Sequence, residues 1–154
     1  RYEIISVECK VPSVSRVAVR DRRVDIVYFP KQQPGSVFRG NLAKSCRAAL
    51  EFNVSELVSG PGLEARLHRV RREIEAAAET SATVIGSTRA SNPLELRSPR
   101  DVAALLHVVG LPFNDALRAV SEIPLEIVKK NRLRIGEPRL EEGVRLLRRS
   151  PDDE

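Results

Sequence analysis

Residues 82–110, ATVIGSTRASNPLELRSPRDVAALLHVVG, form the stretch whose reading decides the fold. It opens on Ala82, Thr83, Val84 and Ile85, an apolar run rich in β-branched side chains and too short for a helix, which predicts a buried strand. The small and turn-prone residues from Gly86 to Pro93 predict a loop. Ser98, Pro99 and Asp101 then spell a helix start. A serine hydroxyl caps free N–H groups, proline suits the first helical position, and a carboxylate favours the positive end of the helix dipole. Val102, Leu105, Leu106 and Val109 fall at i, i+3, i+4 and i+7, one apolar stripe, and Gly110 supplies the left-handed stop. The result is one β-loop-α unit with Arg89 and Arg97 on the shoulders of its loop.

The rest of the chain repeats this alternation. Residues 3–9, around Ile4, Ile5 and Val7, read as a strand, and residues 13–20 as a short helix with Val14, Val17 and Ala18 inward. Residues 23–29 form a run apolar enough to be covered on both faces. A loop at 31–36 separates it from a helix over 37–49, with Phe38, Leu42, Ser45 or Cys46, and Ala49 on one face, and from a strand over 50–54. The longest helix is expected over 63–80, with Leu63, Leu67, Val70, Ile74, Ala77 and Ala78 inward and Arg66, His68, Arg69, Arg72, Glu75 and Glu79 outward. Its i,i+4 pairs Arg69–Glu73 and Arg71–Glu75 suit a solvated face and are worth only about 0.2–0.5 kcal/mol each. A helix over 112–121 with Phe113, Leu117 and Val120 inward follows, then one starting at Pro124 with Ile127 and Val128 inward and Asn131 at its end. Strands alternating with helices predict an α/β fold with a parallel sheet and right-handed crossovers over residues 1–135. Residues 136–154 are expected to be a basic C-terminal tail or a closing helix, with Leu140, Val144 and Leu147 hinting at amphipathic turns.

The chain has 154 residues. A closed eight-unit barrel usually needs about 250, so the barrel-like unit is expected to be partial, with a strand edge left to be covered by a further segment, another polypeptide or a second copy. The net charge is +5, the pI near 9.7, and arginine dominates the cations. Arginine is the better bidentate phosphate ligand, so nucleic acid is a natural partner, although a GC-rich genome produces the same bias. Lys129, Lys130, Arg132 and Arg134 begin a basic run that suits RNA. Cys9 and Cys46 stand apart with no ligand or redox spacing, as expected of thiols in a reducing cytoplasm. No apolar run approaches the roughly 18 residues of a membrane span, so no membrane partner is expected.

Catalytic and metal chemistry find little support. His68 and His107 have no second histidine or cysteine at ligand spacing, and surface pairing and packing respectively explain them. The better candidate is an anion site. In parallel barrels the strand ends put their loops on one face, so Ser87, Thr88 and Arg89 could meet a phosphate together with the helix start at Ser98. Arg97 and Arg100 would add charge-assisted bonds. Arg97 has a structural alternative, pairing with Glu95 or Asp101, whereas no structural reason for a long cation at Arg89 is evident from the sequence. Aromatic residues sit mostly at inward positions, which favours contact with structured RNA over stacking on single-stranded bases.

The run STRASNPLELRSPRDVAALLHVVGLPFNDALRAVSEIPLEIVKKN resembles the C-terminal region of the archaeal ribonuclease P protein component 3 family, RNase P subunit p30. In that family a small-residue loop ending a barrel strand precedes an Arg-Ser-Pro-x-Asp helix start, matched here by Ser87, Thr88 and Ala90 and by Arg97, Ser98, Pro99 and Asp101. The strand ending Val27, Tyr28, Phe29, Pro30 and the segment Ala49, Leu50, Glu51, Phe52 are similar to two earlier family strands. Arg89 stands where the family usually has glycine, so a positive φ at this position would require the loop to be rebuilt. The resemblance implies a TIM-barrel-like fold whose N-terminal part is missing from this sequence. It also implies a non-catalytic subunit that supports ribonuclease P RNA in processing the tRNA 5′ leader. Magnesium would then reside on the RNA subunit and no cofactor on the protein. The implied partners are that RNA, ribonuclease P protein component 2, the other protein subunits and pre-tRNA. Two other readings are a degenerate barrel phosphoesterase acting on small phosphates and a plain α/β assembly module.

Overall fold

The computed structural model describes residues 2–30, 37–58, 61–136, 139–141 and 144–145, with side chains up to residue 135. Four short strands, β1 (Ser6–Glu8), β2 (Ile26–Tyr28), β3 (Ala49–Asn53) and β4 (Val84–Ser87), form one parallel sheet in the order β1-β2-β3-β4. Between and after them lie α1 (Pro12–Ala18), α2 (Asn41–Lys44), α3 (Val54–Val58), α4 (Leu63–Thr80), α5 (Pro99–Val108), α6 (Phe113–Ala119) and α7 (Glu122–Gly136). The fold is therefore the parallel β/α type expected, and among the described residues the sheet is open at β1 and β4.

Register separates the two faces of the sheet. Val7, Val27, Leu50 and Val84 are aligned across the four strands, so they share a face, because side chains alternate along a strand and aligned residues of parallel neighbours point the same way. That face, with Cys9, Phe29 and Phe52, packs into one core with Val70, Ile74 and Ala77 of α4, Val102 and Leu106 of α5, and Ala116 and Ala119 of α6. The second face carries Tyr28, Glu51 and Ile85 in one row and Asn53 and Ser87 in the next. Both faces are covered, with Leu50 at 0% and Glu51 at 7% exposure, as the long apolar run of β2 implied.

The β4-α5 unit forms as read. Ser98 caps α5 by accepting the Asp101 N–H at 3.2 Å while Asp101 accepts the Ser98 N–H at 3.2 Å, a complete capping box. Val102, Leu106 and Val109 are buried, and Gly110 has φ +116. The strand itself runs further than read, through Gly86 to Ser87. A Cβ on Gly86 would lie 2.7 Å from Leu106 Cδ1 and 2.9 Å from Val102 Cγ1, so the glycine belongs to the strand and lets α5 approach the sheet.

Elsewhere the helices form but turn differently. In α1 the buried residues are Ser15 and Ala18, while Val14 and Val17 are exposed; Ser15 Oγ donates to the Val11 carbonyl at 3.0 Å, so the small polar residue can face inward. The helix expected over 37–49 shrinks to α2, because Gly40 turns the chain at φ +53 and Arg47 N–H is already committed to the Val19 carbonyl at 2.9 Å. Helix α4 has the expected bounds and a rotated stripe: Arg66, Val70, Glu73, Ile74 and Ala77 are buried, and Leu63 is 46% exposed. Arg66, expected on the solvent side, instead donates Nε to the Leu57 carbonyl at 3.3 Å and Nη1 to the Pro61 carbonyl. Phe113 of α6 is half exposed rather than inward, and Ala116 and Ala119 take its place. Helix α7 begins two residues before Pro124 and carries Asn131 in its interior, fully buried. In the C-terminal region, the amphipathic turns expected around Leu140 and Val144 are replaced by an antiparallel pair, β5 (Arg139–Glu141) and β6 (Val144–Arg145). Leu147 and the rest of the tail lie outside the described residues.

Candidate functional site

At the C-terminal end of the sheet, the second face holds a polar network that no single stretch of sequence announces. Tyr28 of β2 and Glu51 of β3 are in register, and Ser87 of β4 lies one row above. Glu51 is the hub: the Ser87 hydroxyl donates to its Oε1 at 2.6 Å, and Arg89 Nε lies 3.6 Å from the same oxygen. The Arg89 guanidinium carbon stands 4.2 Å from the centroid of the Tyr28 ring, within cation–π range. Tyr28 hydroxyl in turn donates to Glu56 Oε2, and the Glu56 N–H donates to Asn53 Oδ1 at 3.2 Å. Burying a carboxylate is costly unless it is paired and hydrogen-bonded, and Arg89 and Ser87 supply these partners.

This explains Arg89. Its φ is +43, the left-handed region that glycine fills without cost, so the loop keeps that conformation with a long side chain rather than being rebuilt. The conformation costs an L residue roughly 1–2 kcal/mol. The ion pair with Glu51 and the stacking on Tyr28 are the compensating contacts, and both arise from strands far away in sequence.

The other candidates separate into two groups. Ser87 has its proton committed to Glu51, and Thr88 is half-buried. Arg97 and Arg100 are exposed at the start of α5. Arg97 pairs with neither acid proposed for it: its Nη1 donates to the carbonyls of Leu94 at 2.8 Å and Leu96 at 2.9 Å. Asp101 is held in the capping box, and Glu95 accepts from the Ser91 N–H at 2.7 Å and the Ser91 hydroxyl at 3.0 Å, which lowers its pKa. The α5 N-terminus thus already has a carboxylate of its own, and among the described residues no bond links Arg89 to Arg97 or Arg100.

On α7, Lys129, Lys130, Arg132 and Arg134 are all exposed. Arg132 pairs with Glu3, and Arg134 Nη2 lies 3.9 Å from Asp25 Oδ1. Lys129 and Lys130 have no ion-pair partner among the described residues. His107 Nδ1 lies 3.0 Å from the Leu111 carbonyl and its ring meets Phe113 edge-on at 5.7 Å, a packing role, while His68 is exposed. Among the described residues, no group of three or more histidine, cysteine, aspartate or glutamate side chains is placed to hold a metal ion. Sequence reading missed Tyr28, Glu51 and Glu56. The available signal was Glu51 itself, a charge set between the apolar residues Leu50 and Phe52.

Comparison with known proteins supplies the context for this geometry. Residues 1–136 match the family model described as RNase P subunit p30. The chain is 28% identical over 138 residues to ribonuclease P protein component 3 of Methanococcoides burtonii, covering 86% of this chain and 57% of that protein. It is 31% identical over 140 residues to ribonuclease P protein component 3 of Methanosarcina barkeri, covering 88% of this chain and 58% of that protein. Its fold matches a chain in a cryo-EM structure of archaeal ribonuclease P with mature tRNA, with a TM-score of 0.80 and 25% identity over 96% of this chain and 65% of that one. The chain thus spans less than three-fifths of the length of these two curated relatives.

Proposed function

The chain belongs to the RNase P subunit p30 family, and from that premise we propose that it is a non-catalytic protein subunit of archaeal ribonuclease P, supporting the catalytic RNA in removing tRNA 5′ leaders. The observation that carries the reading is the family match over residues 1–136 together with the fold match to a ribonuclease P chain. Its partners in this reading are the ribonuclease P RNA, protein component 2, the other protein subunits and pre-tRNA. Magnesium serves the RNA, and the terms nuclease and hydrolase describe the holoenzyme rather than this chain. The cytoplasm is its place of work, and no helix among the described residues is long and apolar enough to cross a membrane.

The strand-end geometry favours this reading over a barrel phosphoesterase. Catalytic groups in such barrels project from the C-terminal strand ends. Here Glu51 at that position is engaged by Ser87 and Arg89, and Glu56 by Tyr28, so the carboxylates serve the packing of the loop. The exposed cations Arg97, Arg100, Lys129 and Lys130 are the better phosphate contacts, and Arg89, its charge matched by Glu51, is a weaker one. Salt-titrated binding to the cognate ribonuclease P RNA tests this assignment. Each lost phosphate contact flattens the plot of log affinity against log salt by nearly one unit. Lys129→Ala with Lys130→Ala is expected to lower the slope by more than one unit; an unchanged slope in this variant and in Arg97→Ala, Arg100→Ala would remove these residues from the interface.

A further inference from the structure

A second polar feature lies at the opposite, N-terminal end of the sheet. A cavity of about 800 Å³ opens between the strand starts and α7, with Arg22, Arg47, Lys130 and Arg134 at its rim against Asp25 and Glu126. Cations outnumber carboxylates there by two, and Asp25 already accepts the Ile5 N–H at 2.9 Å and pairs with Arg134. Arg22, Arg47 and Lys130 have no ion-pair partner among the described residues. Asn131 also lines the cavity, only 1% exposed, and among the described residues neither the oxygen nor the nitrogen of its carboxamide has a hydrogen-bond partner. An orphaned buried amide destabilises a fold that a leucine at the same place would not burden, so a ligand that satisfies it is the physical explanation for an asparagine there.

We infer that this cavity binds a nucleotide, with its phosphate against the rim cations and its base edge against Asn131. A fully ionised phosphate group only accepts hydrogen bonds and leaves the Asn131 carbonyl oxygen unsatisfied. A base edge that offers a donor beside an acceptor satisfies both amide atoms at once, and the adenine N6/N7 edge is the one asparagine pairs with bidentately. The volume lies within the range of small-ligand sites, and Ile123 and Ile127 supply an apolar wall for the base. Asn131 lines the cavity from α7, so a local rearrangement of the cavity wall suffices for the ligand to reach its amide. The inference shares Lys130 with the RNA contacts proposed above and otherwise does not depend on that reading, because the nucleotide can be free in solution or an unpaired residue of an RNA.

Calorimetric titration of the chain with AMP, ribose 5-phosphate and inorganic phosphate, combined with thermal melts, tests it. AMP is expected to bind about 5- to 100-fold more tightly than ribose 5-phosphate, the discrimination typical of one bidentate pair. Asn131→Leu is expected to raise the melting temperature of the ligand-free chain and to reduce the affinity for AMP to that for ribose 5-phosphate. Arg47→Gln with Lys130→Gln is expected to weaken all three ligands while leaving the preference for AMP intact. An RNA hairpin with one unpaired adenosine that displaces AMP identifies RNA as the source of the nucleotide, and failure to displace identifies the free nucleotide. AMP binding no tighter than inorganic phosphate, no binding of any of the three, or an Asn131→Leu chain that melts lower than the parent would overturn the inference. Binding of an acidic peptide without AMP would assign the cavity to a protein partner instead and equally overturn it.

Discussion

Replacing Arg89 by alanine should destabilise the protein while leaving its RNA affinity nearly untouched. Glu51 is 7% exposed, so loss of the guanidinium leaves a buried carboxylate with the Ser87 hydroxyl as its remaining named partner. Removing one member of a fully buried pair costs about 3–5 kcal/mol, whereas a surface pair is worth about 0–1 kcal/mol. The Arg89 side chain is 36% exposed, which places this pair between those limits, at about 1–2 kcal/mol. Loss of the contact with Tyr28 adds about 0.5–1 kcal/mol. A total of about 2 kcal/mol corresponds to a fall of about 4–8 °C in Tm for a chain of this size. Arg89→Gly should recover about 1 kcal/mol of that, since glycine is unstrained at the φ of +43 observed there. The double variant Glu51→Gln, Arg89→Ala should also lose less than the sum of its parts, because no unpaired charge remains. Thermal melts and salt-titrated RNA binding of the set decide the matter. If Arg89→Ala melts within about 1 °C of the parent and its salt slope drops by nearly one unit, the Glu51 pair is not structural and the loop is a phosphate site.

Gly86→Ala should cost about 1–3 kcal/mol, because the new methyl meets Leu106 and Val102 side chains at 2.7 and 2.9 Å; a melt equal to the parent's would mean that α5 can retreat from the sheet. Ser98→Ala removes the α5 cap and should cost about 1 kcal/mol, with amide exchange rising first in residues 100–102, whereas unchanged protection there would show that the cap is dispensable. The Cys46 thiol is pushed up to about 11 by burial, so iodoacetamide at pH 8 should alkylate it roughly a hundredfold more slowly than a free cysteine, and the rate should climb as pH rises towards 11. Rapid, pH-insensitive labelling of the native chain would contradict the buried environment.

What the sequence made legible was local. Helix α5 could be read because its start, stripe and stop are written in consecutive residues from Ser98 to Gly110, and α4 because apolar residues recur at helical spacing over 63–80. The faces of helices were less legible, because hydrophobicity does not reveal a polar residue whose partners lie inside. Arg66 and Glu73 face inward because the Leu57 and Pro61 carbonyls and Arg69 meet them there. The candidate site was half legible for the same reason. Arg89 was visible as an anomaly in a small-residue loop, but its partners Tyr28 and Glu51 come from two other strands, and only the parallel register brings the three together. Asn131 carried no signal at all in the sequence; its interest lies in being buried without a partner among the described residues.

The function proposed above has this chain assist an RNA catalyst and do no phosphodiester chemistry itself. Reconstitution of pre-tRNA leader cleavage measures it most directly, with the cognate ribonuclease P RNA, protein component 2 and magnesium, in the presence and absence of this chain. The account predicts that the chain raises the cleavage rate of the RNA-containing mixture and that the chain with magnesium alone leaves pre-tRNA intact. Leader cleavage by the chain in a nuclease-treated sample without the RNA would contradict it, as would an unchanged rate when the chain is added to the RNA and component 2.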